Sequence, residues 1–424
     1  MRRSLTATCL AAIAFFLWPG RADAIPAFAR RYQTACTTCH VVIPKLNAFG
    51  IAFRNNGYRI PPNDEKFVKI PDVPLGAPAW KRVWPNAVWP GGIPGVAPLA
   101  IRIFSDTVLN PNPANPAAPK VDFVFPNEFE FLVGGTAGEN ISYWGELEIT
   151  SGDRLDLARA FAQFDHIGGT TLANLVVGRF EPRAVPFSRF WRRVTQSDVI
   201  TSDFTHVSGG LNFKTRQAGI EFWGVKSGPR GKGGVEYAVG VVNGNGPFRD
   251  NNTAKDVYYR LSYKIGGFGV AGSAEETEEL PQSNNWRDDS VRIGTFGYVG
   301  KGLFGTPARE DEFWRAGGDV DLFFRDLNLY AAVMRGRDKM APGGAANEFT
   351  AAFVQADYVI KPWILAAVRY DTVFRDAVMG RDIKKIVPAI VLAIRANVRV
   401  VAESESFLEK SGDTFGRIRL DLLF

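Results

Sequence analysis

From Leu99 to Phe424 the chain is written in segments of about ten residues in which apolar and polar positions alternate, separated by clusters of Gly, Asn, Asp and Pro. The clearest are residues 141–150, 256–264, 353–359 and 415–424. In the last of these, Ile418, Leu420, Leu422 and Phe424 share one face while Arg417, Arg419 and Asp421 share the other. A period of two sends successive side chains to opposite faces of a strand. Leu, Phe and Val outside with Arg and Asp inside is the pattern of an all-β transmembrane barrel, whose outer face meets lipid. A soluble sandwich also alternates, but it does not readily take this many strands with charge on the enclosed face. A C-terminal Phe closing an amphipathic strand is a common ending of bacterial outer-membrane barrels, and Phe424 occupies that place.

About seventeen segments qualify as strands, yet a barrel with both ends in the periplasm needs an even number. Long polar gaps at residues 110–120, 181–210, 243–255, 336–347 and 375–382 read as outer loops. Tight turns at 134–138, 168–170, 265–267, 325–327 and 360–362 read as periplasmic. Counting inward from the two ends assigns opposite faces to residues 291–299. That segment is therefore expected within a long outer loop from about 275 to 312, which leaves sixteen strands; a missed strand beside it would give eighteen. The 181–210 loop carries Arg183, Arg189, Phe190, Trp191, Arg192, Arg193 and His206. Folded inward it would constrict the pore with positive charge, and folded outward it would meet lipopolysaccharide phosphate.

The remaining chain divides into three. Residues 1–24 begin with Arg2 and Arg3, continue through an apolar stretch to Trp18 and exit at Ala22, Asp23 and Ala24, as a secretory signal peptide does. Residues 25–70 lack strand alternation, and Leu46, Phe49 and Phe53 are spaced for a short helix ended by Asn56 and Gly57. So small a segment buries little surface alone and should pack on something larger. Residues 71–98 form a linker with seven prolines and Trp80, Trp84 and Trp89, expected to run extended.

Composition adds an address more than a fold. Of 424 residues 46% are hydrophobic, but after the first 20 no apolar run approaches the length of a membrane helix, about 20 residues. Removing residues 1–24 lowers the formal charge from +6 to +4, too small to indicate nucleic acid, which an exported chain does not meet. It also removes Cys9 and leaves Cys36 and Cys39. These stand in A-C-T-T-C-H, residues 35–40, a Cys-x-x-Cys-His pattern that places two thiols for thioether bonds to haem and His40 as the proximal iron ligand. A structural zinc site needs about four ligands, and the only other histidines, His166 and His206, are distant in sequence. A thioredoxin-like pair needs a strand-to-helix context that is missing here. For the opposite axial position His206 is the leading candidate, ahead of His166, Met334, Met340 and Met379. Asp250, Glu310 and Asp338 are candidate acidic groups near the outer mouth.

P-A-F-A-R at 26–30, C-T-T-C-H at 36–40, P-K-L-N-A-F-G at 44–50 and F-R-N-N-G-Y at 53–58 resemble the fused porin-cytochromes of the outer membrane, including the monohaem iron oxidases. The resemblance implies a bacterial outer-membrane barrel of about sixteen strands with one haem c on a cytochrome segment that plugs the lumen. It implies electron transfer from extracellular Fe(II) to a periplasmic c-type cytochrome or other carrier, with iron oxidase activity. A solute-conducting porin with a tethered haem module is the competing class. A haem peroxidase lacks a recognisable distal acid–base pair.

Overall fold

The computed structural model describes residues 27–74, 82–83, 92–113, 117–152, 154–185, 194–195, 198–203, 213, 216–246, 248–273, 279–281, 283–304, 308–339, 346–375, 382–409 and 414–424. Residues 1–24, Trp80, Trp84, Trp89, Arg189, Phe190, Trp191, Arg192, Arg193, His206, Met340 and Met379 lie outside them.

Sixteen antiparallel strands, from Leu99–Leu109 to Thr414–Leu423, close into one barrel. Closure is made by the last strand pairing with the first, Gly416 opposite Leu109 and Leu423 opposite Arg102. Phe424 then exchanges backbone hydrogen bonds with Ile101 at 2.6 and 2.9 Å, so the terminal residue seals the seam. No described helix is long and apolar enough to cross a membrane.

Alternation becomes two surfaces. In the strand Asp256–Phe268, Asp256, Tyr258, Arg260, Ser262 and Lys264 are buried inside, whereas Val257, Tyr259, Leu261, Tyr263 and Ile265 are exposed outside. Inward charges are matched across strands: Arg260 donates to Asp319 at 2.7 and 3.0 Å, Arg102 to Asp421 at 2.8 and 3.0 Å, and Arg419 to Asp106 twice at 2.7 Å. Forked pairs of this kind satisfy both partners where an unpaired charge would be costly. A closed, edgeless sheet with an apolar outside and a charged inside is built for lipid, and it places the protein in the bacterial outer membrane.

The count of sixteen holds, but the route to it is corrected. Residues 291–299 are not loop; they lie in the strand Ser290–Phe304, which pairs with Asp256–Phe268 on one side and Arg309–Phe324 on the other. Its inward face carries Phe296 and Tyr298, which pack against Phe213 and Phe313, so apolar residues occupy both faces and four glycines dilute the pattern further. The long connection is instead residues 269–289, at the periplasmic end with the short turns.

Two insertions fill the lumen. From the periplasmic end come residues 27–74, with helices α1 (Ala27–Tyr32) and α2 (Ala48–Asn55). From the outer end comes the 181–213 loop. Its described residues Ala184, Val185, Val194, Val199, Ile200, Thr201 and Phe213 are all buried, and the turn Val199–Asp203 lies against three strands spanning 327–375. This part of the loop therefore takes the inward alternative.

The plug is bolted to the wall by polar contacts and by aromatics. Asn55 and Asn56 donate to the carbonyls of Val270 and Ala271 at 3.0 and 2.9 Å, and Arg30 donates to Ala97 and Leu99. Phe28 stacks on Tyr58 at 5.1 Å and on the wall's Trp144 at 6.4 Å, with Phe53 at 5.2 Å edge-on. Rings in such offset and edge-to-face contacts add to the area they bury.

Candidate functional site

The Cys-x-x-Cys-His stretch is a single 3-10 turn, Cys36–Thr38, continuing into a two-stranded ladder of His40–Val42 with Lys45–Leu46. Its shape is imposed by α2. Asn47 caps that helix by accepting from the Gly50 amide at 2.8 Å, while its side-chain amide donates to the Thr38 carbonyl at 3.0 Å and its backbone N–H to the Cys39 carbonyl at 3.0 Å. Gly50 lies so close beneath the turn that a Cβ there would collide with the Cys39 carbonyl oxygen. The motif and the N-A-F-G that follows it are thus one folded unit.

Cys36, Cys39 and His40 together line a cavity enclosing about 1730 Å³ of empty space, counting its open mouth. The plug supplies one wall, with Phe28, Leu46, Phe49 and Phe53; the barrel supplies the other, with Leu132, Trp144, Phe161 and Val176. Both cysteines are free thiols. Burial pushes them up, Cys39 to about 12, so they sit as neutral thiols against an apolar wall.

His40 Nδ1 lies 3.2 Å from the Pro44 carbonyl. A carbonyl can only accept, so Nδ1 carries the proton and Nε2 keeps the lone pair that a metal requires. Burial pulls the imidazole down to about 4; the Pro44 bond opposes this, and Arg102 and Arg399 add to it. A neutral imidazole with a fixed tautomer is the state that binds iron. Two thiols, this imidazole and a large apolar cavity fit a covalently attached haem.

Other candidates are placed elsewhere. His166 occupies a left-handed position in the turn after the strand Arg154–Phe164 and does not line the cavity. Met334 is packed in the aromatic core with Tyr330 and Phe353, also away from it. Asp338 pairs with Arg315 at 2.8 Å, Glu310 with Lys301 at 3.0 Å, and Asp250 with Lys255.

Apart from Arg183, which the sequence singled out with its loop, the charged lining was not anticipated. Arg54 of the plug, Arg102, Glu130, Arg159 and Glu221 of the wall, and Glu181 and Arg183 at the start of the outer loop all face the cavity. The carboxylates of Glu128, Glu130 and Glu148 lie within 4.8 Å of one another, all buried. Arg102 reaches Glu130 at 3.5 Å, and Arg216 pairs with Glu148. The signal available was a run of inward-register residues, Glu128, Glu130, Glu146 and Glu148, on two adjacent strands.

No protein-family model matches the chain, and no curated protein matches it. Solved structures do. The chain is similar to an anion-selective porin from Comamonas acidovorans, at 10% identity and a TM-score of 0.55, over 77% of this chain and 98% of that one. It is also similar to OmpF of Salmonella typhi in complex with daunomycin, at 11% identity and TM-score 0.48, over 77% and 97%. The outer-membrane channel DcaP of Acinetobacter baumannii, at 12% identity and TM-score 0.47, covers 77% and 96%. The fold is that of a porin-like outer-membrane barrel.

Proposed function

We propose that this barrel carries electrons across the outer membrane through a haem c held by Cys36, Cys39 and His40, taking them from extracellular Fe(II) and handing them to a periplasmic cytochrome or similar carrier. The observation that carries the reading is His40, whose Nδ1 is bound to Pro44 and whose Nε2 is left for iron, on the wall of an apolar cavity it shares with both thiols.

When bound, the haem supplies one-electron chemistry that no side chain here offers. The chain supplies position and insulation. The hydrocarbon core is about 30 Å thick, and the cavity is lined by the periplasmic plug, the barrel wall and the start of the outer loop, so the wall separates it from lipid. Phe28, Phe53, Tyr58 and Trp144 close the periplasmic side with packed rings.

A second reading is a solute-conducting porin with a haem module, and the sixteen-stranded porin-like fold favours it. The two part in one experiment. Purified protein is mixed with Fe(II), haem reduction is followed by absorbance, and conductance is measured in planar bilayers. Reduction with little conductance supports electron transfer; large conductance without reduction leaves the porin.

A further inference from the structure

On one side of the barrel the outward face changes character toward its outer end. Along the strand Leu327–Asp338 the outward residues Leu329, Ala331 and Val333 give way to Arg335, Arg337 and, one step past the strand, Lys339, whose side chains are 65, 48 and 69% exposed. Met334, Gly336 and Asp338 between them stay buried, so the alternation is unbroken and the three cations point away from the lumen.

The neighbouring strand shows how high they stand. On Arg309–Phe324 the outward residues run from Phe324 through Leu322 and Val320 to Trp314, and then turn to Glu312 and Glu310. The ten steps from Phe324 to Trp314, at ~3.3 Å each and a strand tilt of ~40°, span roughly 25 Å, the height of the apolar band on such a barrel. Trp314 therefore sits at the outer interface, where amphipathic rings collect. Arg337 is its register partner, with Arg335 one outward position below and Lys339 one above. At this level an outward side chain meets lipid headgroups rather than open water.

The patch is held in place from within. Glu348, opposite Arg337 in register, takes Arg337 at 3.5 Å and draws Arg335 outward to 2.8 Å. Glu312 takes Lys339 at 3.0 Å, and Glu310 and Glu312 hold Lys301 at 3.0 and 2.9 Å. These contacts use only part of the five N–H groups on each guanidinium, and the exposed remainder faces the headgroup layer. A guanidinium fork matches phosphate with two parallel bonds, and an ammonium adds a point charge. The outer leaflet of a bacterial outer membrane is built of lipopolysaccharide, whose lipid A part carries phosphate.

We propose that Arg335, Arg337 and Lys339 form a docking site for the phosphorylated lipid A headgroup of lipopolysaccharide, fixing an outer-leaflet lipid against this side of the barrel. Nothing in this surface involves a haem, so the site stands or falls apart from electron transfer.

The test measures binding of fluorescent bisphosphorylated lipid A to full-length, detergent-purified wild type, the triple variant R335Q/R337Q/K339Q, and K361Q, which changes an exposed lysine at the periplasmic end. The heat-dependent gel shift of a folded barrel is read beside it. The expected result is affinity lowered at least ~tenfold in the triple variant and unchanged in K361Q, with lipid A stripped of its phosphates binding wild type as weakly as the intact lipid binds the triple variant. Equal binding of bisphosphorylated lipid A by wild type and a folded triple variant overturns the site. So does phosphatidylglycerol that competes with lipid A at equal concentration, since the patch would then recognise any anionic lipid. If the triple variant does not fold, R335Q alone, read the same way, decides between these outcomes.

Discussion

Lys45 Nζ lies 2.5 Å from Asp357 Oδ2, and both side chains are sealed from solvent. The ammonium also donates to Asn328 at 2.6 Å and sits 5.4 Å over the Tyr330 ring. The plug is therefore fastened to the far wall by a cation with several partners. Removing one partner of a buried pair costs about 3–5 kcal/mol, because the other charge stays buried alone. Asp357→Ala should loosen the plug without opening the barrel: single-channel conductance rises well above wild type while the heat-dependent gel shift is retained.

Gly50 predicts a second, more local failure. Any side chain there meets the Cys39 carbonyl, and relieving an overpacked contact of this kind costs about 1–3 kcal/mol. Gly50→Val should displace the haem-motif turn and reduce covalent haem per barrel, measured by pyridine haemochrome, with the strands intact by circular dichroism.

Asn47 joins three bonds in one side chain and backbone. Loss of a helix cap costs about 1 kcal/mol, and here the Thr38 contact goes with it. Asn47→Ala should speed proteolysis within residues 27–74 several-fold, whereas Asn47→Asp, which keeps the cap but cannot donate to Thr38, falls between.

The outer surface makes its own prediction. Leu261 is exposed midway along the strand Asp256–Phe268. An arginine near the bilayer midplane costs about 2–4 kcal/mol on a barrel's lipid face. Leu261→Arg should lower unfolding stability in lipid vesicles by that amount, and Thr295→Ser, on the same face, should leave it nearly unchanged.

Haem ligation is tested most directly at His40. His40→Ala keeps both thiols, so covalent haem should remain, but the axial ligand is lost: the reduced spectrum changes and reduction by Fe(II) falls at least tenfold.

The barrel was legible because its rule is local. Alternation in 256–264 and 415–424 states which face is wet, and the structure repeats it residue by residue. It failed at 291–299 because Phe296 and Tyr298 meet an inward-folded loop, so the wet face is dry there and period two vanishes. The Cys-x-x-Cys-His string was legible in the sequence, and its neighbours made physical sense only in three dimensions. Asn47 and Gly50 shape the turn, and Asn55 and Asn56 dock on residues 270–271. Arg54, Arg159 and Arg183 could not be joined from the sequence, since a plug helix, a barrel strand and an outer loop share no spacing.

The enclosure of Cys36 and Cys39 also orders events in time. Both thiols face the lumen of a closed, hydrogen-bonded cylinder stoppered at one end by their own segment and occupied at the other by a loop. An enzyme cannot enter that space. Attachment of the proposed haem to these cysteines would therefore precede the pairing of the last strand with the first, and cofactor maturation would be a step upstream of membrane insertion.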